Sequence, residues 1–335
     1  MIKHSFVNCN SACHRFDWEG VFKNHLPQLA LNTKHQFCHL CFGKIRFRLF
    51  ADWPETGGYI CNQCGHGDGI DLLMKYYNLR FLEVLEMLSD SKIAIPANKV
   101  NRQPKQPSSQ DVQNRKRNLQ RCLQKGKILN LSERNAATQY LRNRGLDLLF
   151  RYNHKPENLF HAPNILYAQE SERSQYFNCL LAEVHDVDGN LVGGHRIYLS
   201  ADGQKAPVSS PKKSLPPIFP GAMNGAAVRL FPAKYSLCIT EGIETALAVK
   251  CMRSSFPVWA TLTANGMRTL RLPAEVCDVH IFSDHDKSGV GKDAALSLKA
   301  RLIKEGRQVK VYCPSKRLPV GVYGDWLDVL NLPRK

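Results

Sequence analysis

The sequence predicts an α/β protein with a mostly parallel sheet and flanking helices, preceded by a small β module and an α+β middle segment. Three observations support this fold class. From residue 235 onward, short apolar runs alternate with helical patterns, as they do around a parallel sheet. Residues 179–199 have the pattern of a β-hairpin that turns at Gly189. Near the amino terminus, two Cys-x2-Cys pairs flank short segments of alternating polarity.

The composition favours a polyanionic partner. The 335 residues include 46 Lys and Arg but only 29 Asp and Glu, for a formal net charge of +17. Hydrophobic residues make up 43% of the chain, which excludes wholesale disorder. No apolar run is long enough for a membrane span, and the first residues lack the apolar core of a signal peptide. We therefore expect a cytoplasmic protein with no membrane partner.

Composition shifts divide the chain into four predicted parts. Residues 1–96 form a cysteine-rich module with following helices, and residues 97–127 are polar and basic, which is typical of a flexible linker. Residues 128–231 form the α+β middle segment, and residues 232–335 form the α/β domain.

The two cysteine pairs predict a zinc ribbon. The 19 residues between the pairs fit the spacing of a structural site, which would hold one Zn²⁺ per chain. A second metal site at Cys9 and Cys13 is a weaker alternative, and free thiols are favoured there. The predicted zinc ligands are Cys38, Cys41, Cys61 and Cys64.

The strands of the predicted ribbon carry basic and aromatic residues. Arg46 and Arg48 would contact phosphates, because guanidinium groups bind them well. Phe47 and Tyr59 have two equally weighted interpretations: they stack on unpaired bases, or they fill the small core of the ribbon.

Carboxylates follow two apolar strands of the α/β part. Glu241 follows one strand and precedes Gly242, while Asp284 and Asp286 follow a later strand and share a face. Three carboxylates gathered at one sheet edge repel one another, and a divalent cation relieves that repulsion. Oxygen ligands favour Mg²⁺ or Mn²⁺ over Zn²⁺.

These motifs resemble those of a known family. Glu-Gly after one strand and Asp-x-Asp after a later one is similar to the Toprim domain, and the chain from Cys38 to Cys64 resembles the zinc ribbon of phage- and plasmid-encoded DNA primases. The segment from Gly189 to Leu230 is similar to the middle part of the same proteins. The first cysteine pair departs from the pattern, because Phe42 precedes Gly43 where a second glycine is usual.

The resemblance implies a primase that synthesises short RNA primers on single-stranded DNA from ribonucleoside triphosphates, with a replicative helicase acting in trans. Catalysis and binding of Mg²⁺ or Mn²⁺ would rest on Glu241, Asp284 and Asp286, with Asp325 and Asp328 as outer ligands and Glu244 as their supporting partner. The residues expected to bind nucleic acid or nucleotide in the middle segment are Arg196, Lys205, Lys212, Lys213 and Arg229.

Two other functions stay open at this point. A recombination mediator also joins a zinc motif to a Toprim fold but is not catalytic, and it is disfavoured by the basic middle segment and the full ribbon far upstream. A Toprim nuclease would use the same carboxylates with water as the nucleophile.

Overall fold

The computed structural model describes residues 16–89, 108–169 and 172–333. The chain divides into two compact units, Met1–Lys105 and Gln106–Lys335. The candidate second metal site at Cys9 and Cys13 lies outside the described residues, as does the part of the predicted linker before residue 108. None of the described helices has the length and apolar composition needed to cross a membrane.

The first unit is built around a three-stranded antiparallel sheet, as the predicted ribbon requires. Phe47 is 2% exposed and stacks on the fully buried Tyr59, with 5.3 Å between ring centroids. Of the two interpretations of these rings, base stacking is therefore wrong and core packing is right. The elements are α1 (Trp18–His25), β1 (Phe47–Leu49), α2 (Trp53–Thr56), β2 (Tyr59–Cys61), β3 (Gly65–Gly67), α3 (Gly69–Tyr77) and α4 (Phe81–Ser89).

The middle segment of the second unit is a five-stranded antiparallel sheet with strand order β4-β5-β6-β7-β8. The predicted hairpin is its centre, and the chain turns at Gly189, whose φ is 85°. The elements are α5 (Ser109–Leu123), β4 (Lys127–Ile128), α6 (Ala136–Asn143), α7 (Asp147–Arg151), β5 (Leu159–Gln169), β6 (Glu172–His185), β7 (Leu191–Leu199) and β8 (Lys212–Leu215).

Helix α5 corrects the prediction that the flexible linker extends to residue 127. Ser108 caps the helix by accepting a hydrogen bond from the amide of Asp111 at 3.1 Å. Leu119 and Leu123 are buried in a cluster with Tyr167 and Tyr198 on one face of the middle sheet. The helix packs on the sheet through these two buried leucines. The rest of the helix is polar, so its average composition resembles that of a linker.

The rest of the second unit is a five-stranded sheet with strand order β13-β12-β10-β11-β9. The four strands β10 to β13 are parallel and the short edge strand β9 is antiparallel, which confirms the predicted fold class. The elements are β9 (Val228–Arg229), β10 (Ser236–Thr240), α8 (Ile243–Met252), β11 (Val258–Ala260), α9 (Ala264–Thr269), β12 (Asp278–Phe282), α10 (Val290–Lys304), β13 (Gln308–Tyr312) and α11 (Trp326–Leu330).

The two sheets of the second unit are joined by packing and by backbone hydrogen bonds. Helix α8 is buried between them, where Ala246 and Leu247 share a core with Leu180 of the middle sheet. His185 at the end of β6 and Ala227 just before β9 exchange two hydrogen bonds, of 2.9 and 3.0 Å. Side chains from the middle segment therefore reach the edge of the parallel sheet where strands β10 and β12 end.

Candidate functional site

The four predicted zinc ligands converge at one point of the first unit. Their Sγ atoms all lie within 4.8 Å of one another. Cys38 Sγ is 3.8 Å from Cys64 Sγ, and Cys41 Sγ is 3.7 Å from Cys61 Sγ. A tetrahedron with Zn–S bonds of about 2.3 Å has edges of about 3.8 Å, so the four thiols fit a structural zinc ion.

The predicted carboxylates meet at the carboxyl ends of β10 and β12. These strands are parallel neighbours with Thr240 opposite Phe282, so the residues that follow them lie side by side. Burial, followed by the charges of Glu241, Asp325 and Asp286, raises the pKa of Asp284 to about 8. Asp284 Oδ1 is buried without a hydrogen-bond partner. This crowding of carboxylates fits a divalent cation.

Asp286 is held by the start of helix α10. Its carboxylate accepts hydrogen bonds from the hydroxyl of Ser288 and, at 3.1 Å, from the amide of Gly291. Burial acts to raise the pKa of Asp286, but these hydrogen bonds outweigh it and the pKa is lowered. Asp286 therefore stays ionised more readily than Asp284.

Asp325 and Asp328 have different positions at the start of helix α11. Asp325 Oδ1 caps the helix by accepting hydrogen bonds from the amides of Leu327 and Asp328, while Thr245 Oγ1 donates to Asp325 Oδ2 at 3.3 Å. Asp328 Oδ2 accepts from the amide of Asp325 at 2.9 Å, which completes a capping box. The charge of Asp325 acts on Asp284, whereas Asp328 stabilises the helix start.

The backbone that carries Asp284 is anchored from helix α11. The indole nitrogen of Trp326 donates a hydrogen bond of 3.1 Å to the carbonyl of Ser283, which immediately precedes Asp284. The same helix thus supplies Asp325 and fixes the peptide next to Asp284.

Glu244 contacts side chains of the middle segment. Its Oε1 accepts a hydrogen bond of 2.7 Å from the hydroxyl of Tyr140 and lies 2.6 Å from Lys212 Nζ. Burial would raise the pKa of Glu244, but Lys212 and Tyr140 lower it to about 2. Lys212 also lowers the pKa of Asp284, so Glu244 supports the carboxylates through this lysine.

The predicted basic residues of the middle segment do not form one group. Lys205 and Lys212 lie near the carboxylates, since Glu244 and Asp325 act on the pKa of Lys205, which burial lowers. Lys213 instead donates hydrogen bonds to the carbonyl of Ala168 and to the side chain of Gln169.

Arg196 and Arg229 are engaged elsewhere in the second unit. Arg196 of β7 lies opposite Lys213 of β8 in the strand register. Its guanidinium lies 5.3 Å from the ring centroid of Tyr198. Arg229 donates to the carbonyl of Asp186, and its guanidinium lies 4.5 Å from the ring centroid of Trp259. The structure therefore brings Lys205 and Lys212 to the site, but not Lys213, Arg196 or Arg229.

Sequence reasoning missed three polar residues of the site. Tyr140 holds Glu244, and Thr245 holds Asp325. His195 lies near Lys212 and Glu244, and burial, followed by the charge of Lys212, lowers the pKa of its imidazole to about 4. Tyr140 lies on an element far from the acidic motifs in sequence, and no local pattern indicates it. His195 belongs to a His-Arg pair that resembles one in the middle part of phage- and plasmid-encoded primases, but that pair does not indicate its position near Glu244.

A cleft of about 330 Å³ opens beside the carboxylates. Asp284 and Asp286 line it, together with Lys287, Lys292 and Tyr323. The cleft is large enough to receive part of a nucleotide.

The family comparisons match three segments of the chain. Residues 33–70 match the zinc-binding domain of primase-helicase, and residues 236–332 match the Toprim domain. Residues 113–229, between them, match a domain of unknown function (DUF7146). The chain therefore combines a primase-type zinc-binding domain with a Toprim domain, which is the architecture of a DNA primase, as the sequence predicted.

Solved primase structures are also similar to this chain. The Aquifex aeolicus primase, with its zinc-binding and RNA polymerase domains, is 17% identical over 95% of this chain and 80% of that chain, with a TM-score of 0.42. The DnaG primase catalytic domain bound to single-stranded DNA is 19% identical over 66% of this chain and 75% of that chain, with a TM-score of 0.43. The primase fragment of the bacteriophage T7 primase-helicase is 14% identical over 89% of this chain and 94% of that chain, with a TM-score of 0.34.

Proposed function

We propose that this primase synthesises short RNA primers on a single-stranded DNA template by transferring ribonucleotides to a growing 3′ end. The observation that carries the proposal is the position of Glu241, Asp284 and Asp286 directly after the neighbouring parallel strands β10 and β12, where the charges of Glu241 and Asp286 act on the buried Asp284. Such a cluster is costly in a folded protein unless a cation occupies it.

Glu241, Asp284 and Asp286 would hold Mg²⁺ or Mn²⁺, with Asp325 as an outer ligand. When bound, the cation neutralises charge that develops on the transferred phosphate. The partnerless Asp284 Oδ1 is an oxygen that such an ion would satisfy. One Zn²⁺ per chain would be held by the four thiols of the first unit, where it stabilises the fold.

Lys205 and Lys212 are the predicted cations placed to bind substrate phosphates. The side chain of Lys212 is 38% exposed, so its ammonium can reach a ligand while Glu244 and Tyr140 fix its position. His195 has a lowered pKa and stays neutral near pH 7, so it adds no competing charge. The chain thereby positions a triphosphate beside the carboxylates.

The test is primer synthesis on single-stranded DNA with Mg²⁺ and labelled ribonucleotides. We expect wild-type protein to produce short RNA, and Asp284→Asn and Glu241→Gln to reduce the rate by roughly 100-fold or more, because each removes a ligand oxygen. Asp293→Asn is the matched control, since Asp293 is an exposed carboxylate in the first turn of helix α10. Its rate should equal that of wild type.

The same assay separates the alternative functions. Shortened DNA without RNA would identify a nuclease, and neither product would favour a recombination mediator. If Asp284→Asn kept a substantial share of wild-type synthesis, the assigned site would be wrong.

A stability measurement on the zinc-loaded protein without Mg²⁺ or Mn²⁺ adds an independent check of the site. Asp284→Asn should raise the free energy of unfolding at pH 7 by about 2 kcal/mol, because the substitution removes an acid that is disfavoured in its ionised form. A variant that loses synthesis and gains stability has lost a functional group rather than a structural one. Chemical denaturation of both proteins without added Mg²⁺ or Mn²⁺ checks this.

A further inference from the structure

Two exposed aromatic side chains of the first unit, Phe37 and Phe42, lie at the first cysteine pair rather than on the ribbon strands. Phe42 is 72% exposed and Phe37 is 39% exposed. Their ring centroids are 6.2 Å apart, and the ring of His39 lies 5.0 Å from that of Phe37. Three neighbouring rings thus lie beside the predicted zinc site, whereas Phe47 and Tyr59 are buried.

Phe42 holds its position in a costly backbone conformation. Its φ is 58°, in the left-handed region that a bulky residue rarely adopts. The turn is fixed by two hydrogen bonds, from the amide of Phe42 to the carbonyl of Cys38 and from the amide of Cys38 to the carbonyl of Gly43. Glycine would make this turn without strain, so the turn does not explain the phenylalanine.

The segment that carries these rings has no acidic residue. No Asp or Glu occurs between Glu19 and Asp52 in the sequence. Lys44 and Arg46 are exposed, and the Cδ of Arg46 lies 2.5 Å from the place where a Cβ on Gly43 would be. The arginine side chain therefore passes beside the backbone of Gly43, the residue after Phe42, and its Nη1 donates a hydrogen bond of 3.4 Å to Gln63 Oε1.

We propose that Phe42 and Phe37 form a stacking platform for unpaired bases of the DNA template, with Lys44 and Arg46 binding the adjacent phosphates. This inference rests on the proposed function and names the surface of the first unit that receives the template. Aromatic rings next to cations are complementary to single-stranded nucleic acid, because bases stack on the rings while phosphates pair with the charges. An apolar protein partner would not need the surrounding positive charge.

The test compares Phe42→Gly and Phe42→Trp with wild type in the full-length protein. A fluorescently labelled oligothymidylate is the probe, and its anisotropy reports binding. We expect Phe42→Gly to weaken binding about tenfold, within the range that stacking on one ring supplies. Its zinc content should equal that of wild type and its melting temperature should be unchanged or higher, because glycine relieves the strain. Phe42→Trp should bind at least as well as wild type.

Leu82→Ala is the matched control, since Leu82 is 69% exposed on helix α4 of the same unit and is not part of the platform. It should bind the probe as wild type does. The proposal is overturned if Phe42→Gly binds as wild type does, if its weaker binding comes with lost zinc, or if Phe42→Trp binds as weakly as Phe42→Gly. Primer synthesis by wild type tests the proposed function separately. If wild type makes RNA and Phe42→Gly binds DNA as wild type does, the proposed function stands and only the stacking platform is rejected.

Discussion

Glu244 is a buried carboxylate whose charge is compensated by Lys212. Glu244 is nearly inaccessible, and burying a carboxylate is costly unless its charge is compensated. Lys212 and Tyr140 provide that compensation from the middle sheet and helix α6. The pair therefore contributes to the packing of the two sheets as well as to the position of the lysine.

Removing only the lysine should destabilise the protein strongly. We expect Lys212→Met to lower the free energy of unfolding by about 2 to 3 kcal/mol, toward the low end for a buried pair because the lysine is partly exposed. The double variant with Glu244→Gln should recover much of this loss, since no buried charge is then left without a partner. Urea denaturation of both variants measures the effect. Lys23→Met, which breaks an exposed ion pair with Glu19, is the control and should change stability little.

The same pair predicts a pH dependence of stability. The pKa of Glu244 is about 2 in the folded protein, below its ordinary value of 4.5, so its contribution is complete above pH 4.5 and is lost as the pH falls toward 2. Wild type should therefore lose its stability advantage over Glu244→Gln across this interval. Equal pH profiles for the two proteins would contradict the ionised state of Glu244.

Single residues also show what the sequence could predict about the site. The four cysteines and the three carboxylates follow local patterns. The structure brings the four thiols together, and it places Glu241 and Asp286 near enough to Asp284 for their charges to raise its pKa. Tyr140 lies 104 positions from Glu244, and only the tertiary fold brings them into contact. The sequence likewise predicts that Lys213 binds phosphate, but its ammonium donates hydrogen bonds to Ala168 and Gln169. Patterns of residue type identify ligands, but tertiary packing decides which charges are free to bind.

At the scale of elements, the ribbon strands depend on the metal. Strands β1, β2 and β3 have three residues each, too few for independent stability. The four thiols crowd together around the place where zinc would bind, and an apolar core of modest size surrounds them. Metal binding and folding of the first unit should therefore be coupled.

Removing zinc should unfold the first unit selectively. We expect one zinc per chain by elemental analysis, and a chelator should make residues 16–89 sensitive to limited proteolysis while residues 108–333 stay resistant. Re-adding Zn²⁺ should restore protection. A first unit that stays protected without metal would show that its apolar core suffices.

Helix α5 explains why one element was not predicted. Its sequence is polar and basic along most of its length, and only the spacing of Leu119 and Leu123, one turn apart, marks a buried face. Such a face is recognised only when the sheet that it packs against is known. The strands of the parallel sheet and the helices around it are easier to predict, because each has a continuous apolar run or apolar residues at a regular spacing.

At the scale of the whole molecule, helix α5 changes where the second unit should begin. A fragment of residues 106–335 should fold, whereas residues 128–335 should be less stable by about 3 kcal/mol or more, because the loss of two leucines uncovers one face of the middle sheet. Chemical denaturation of both fragments measures the difference. Equal stability would mean that the helix covers the sheet without supporting it.

The paired backbone bonds between His185 and Ala227 provide a natural probe of the junction between the two sheets. Each amide proton is bonded to a carbonyl on the other side of the junction, so it can exchange with deuterium only when the chains separate there. Amides within either sheet can stay protected during such a separation. The exchange rates of these two protons, compared with those of their neighbours, therefore distinguish a hinge-like opening at the junction from unfolding of the whole unit.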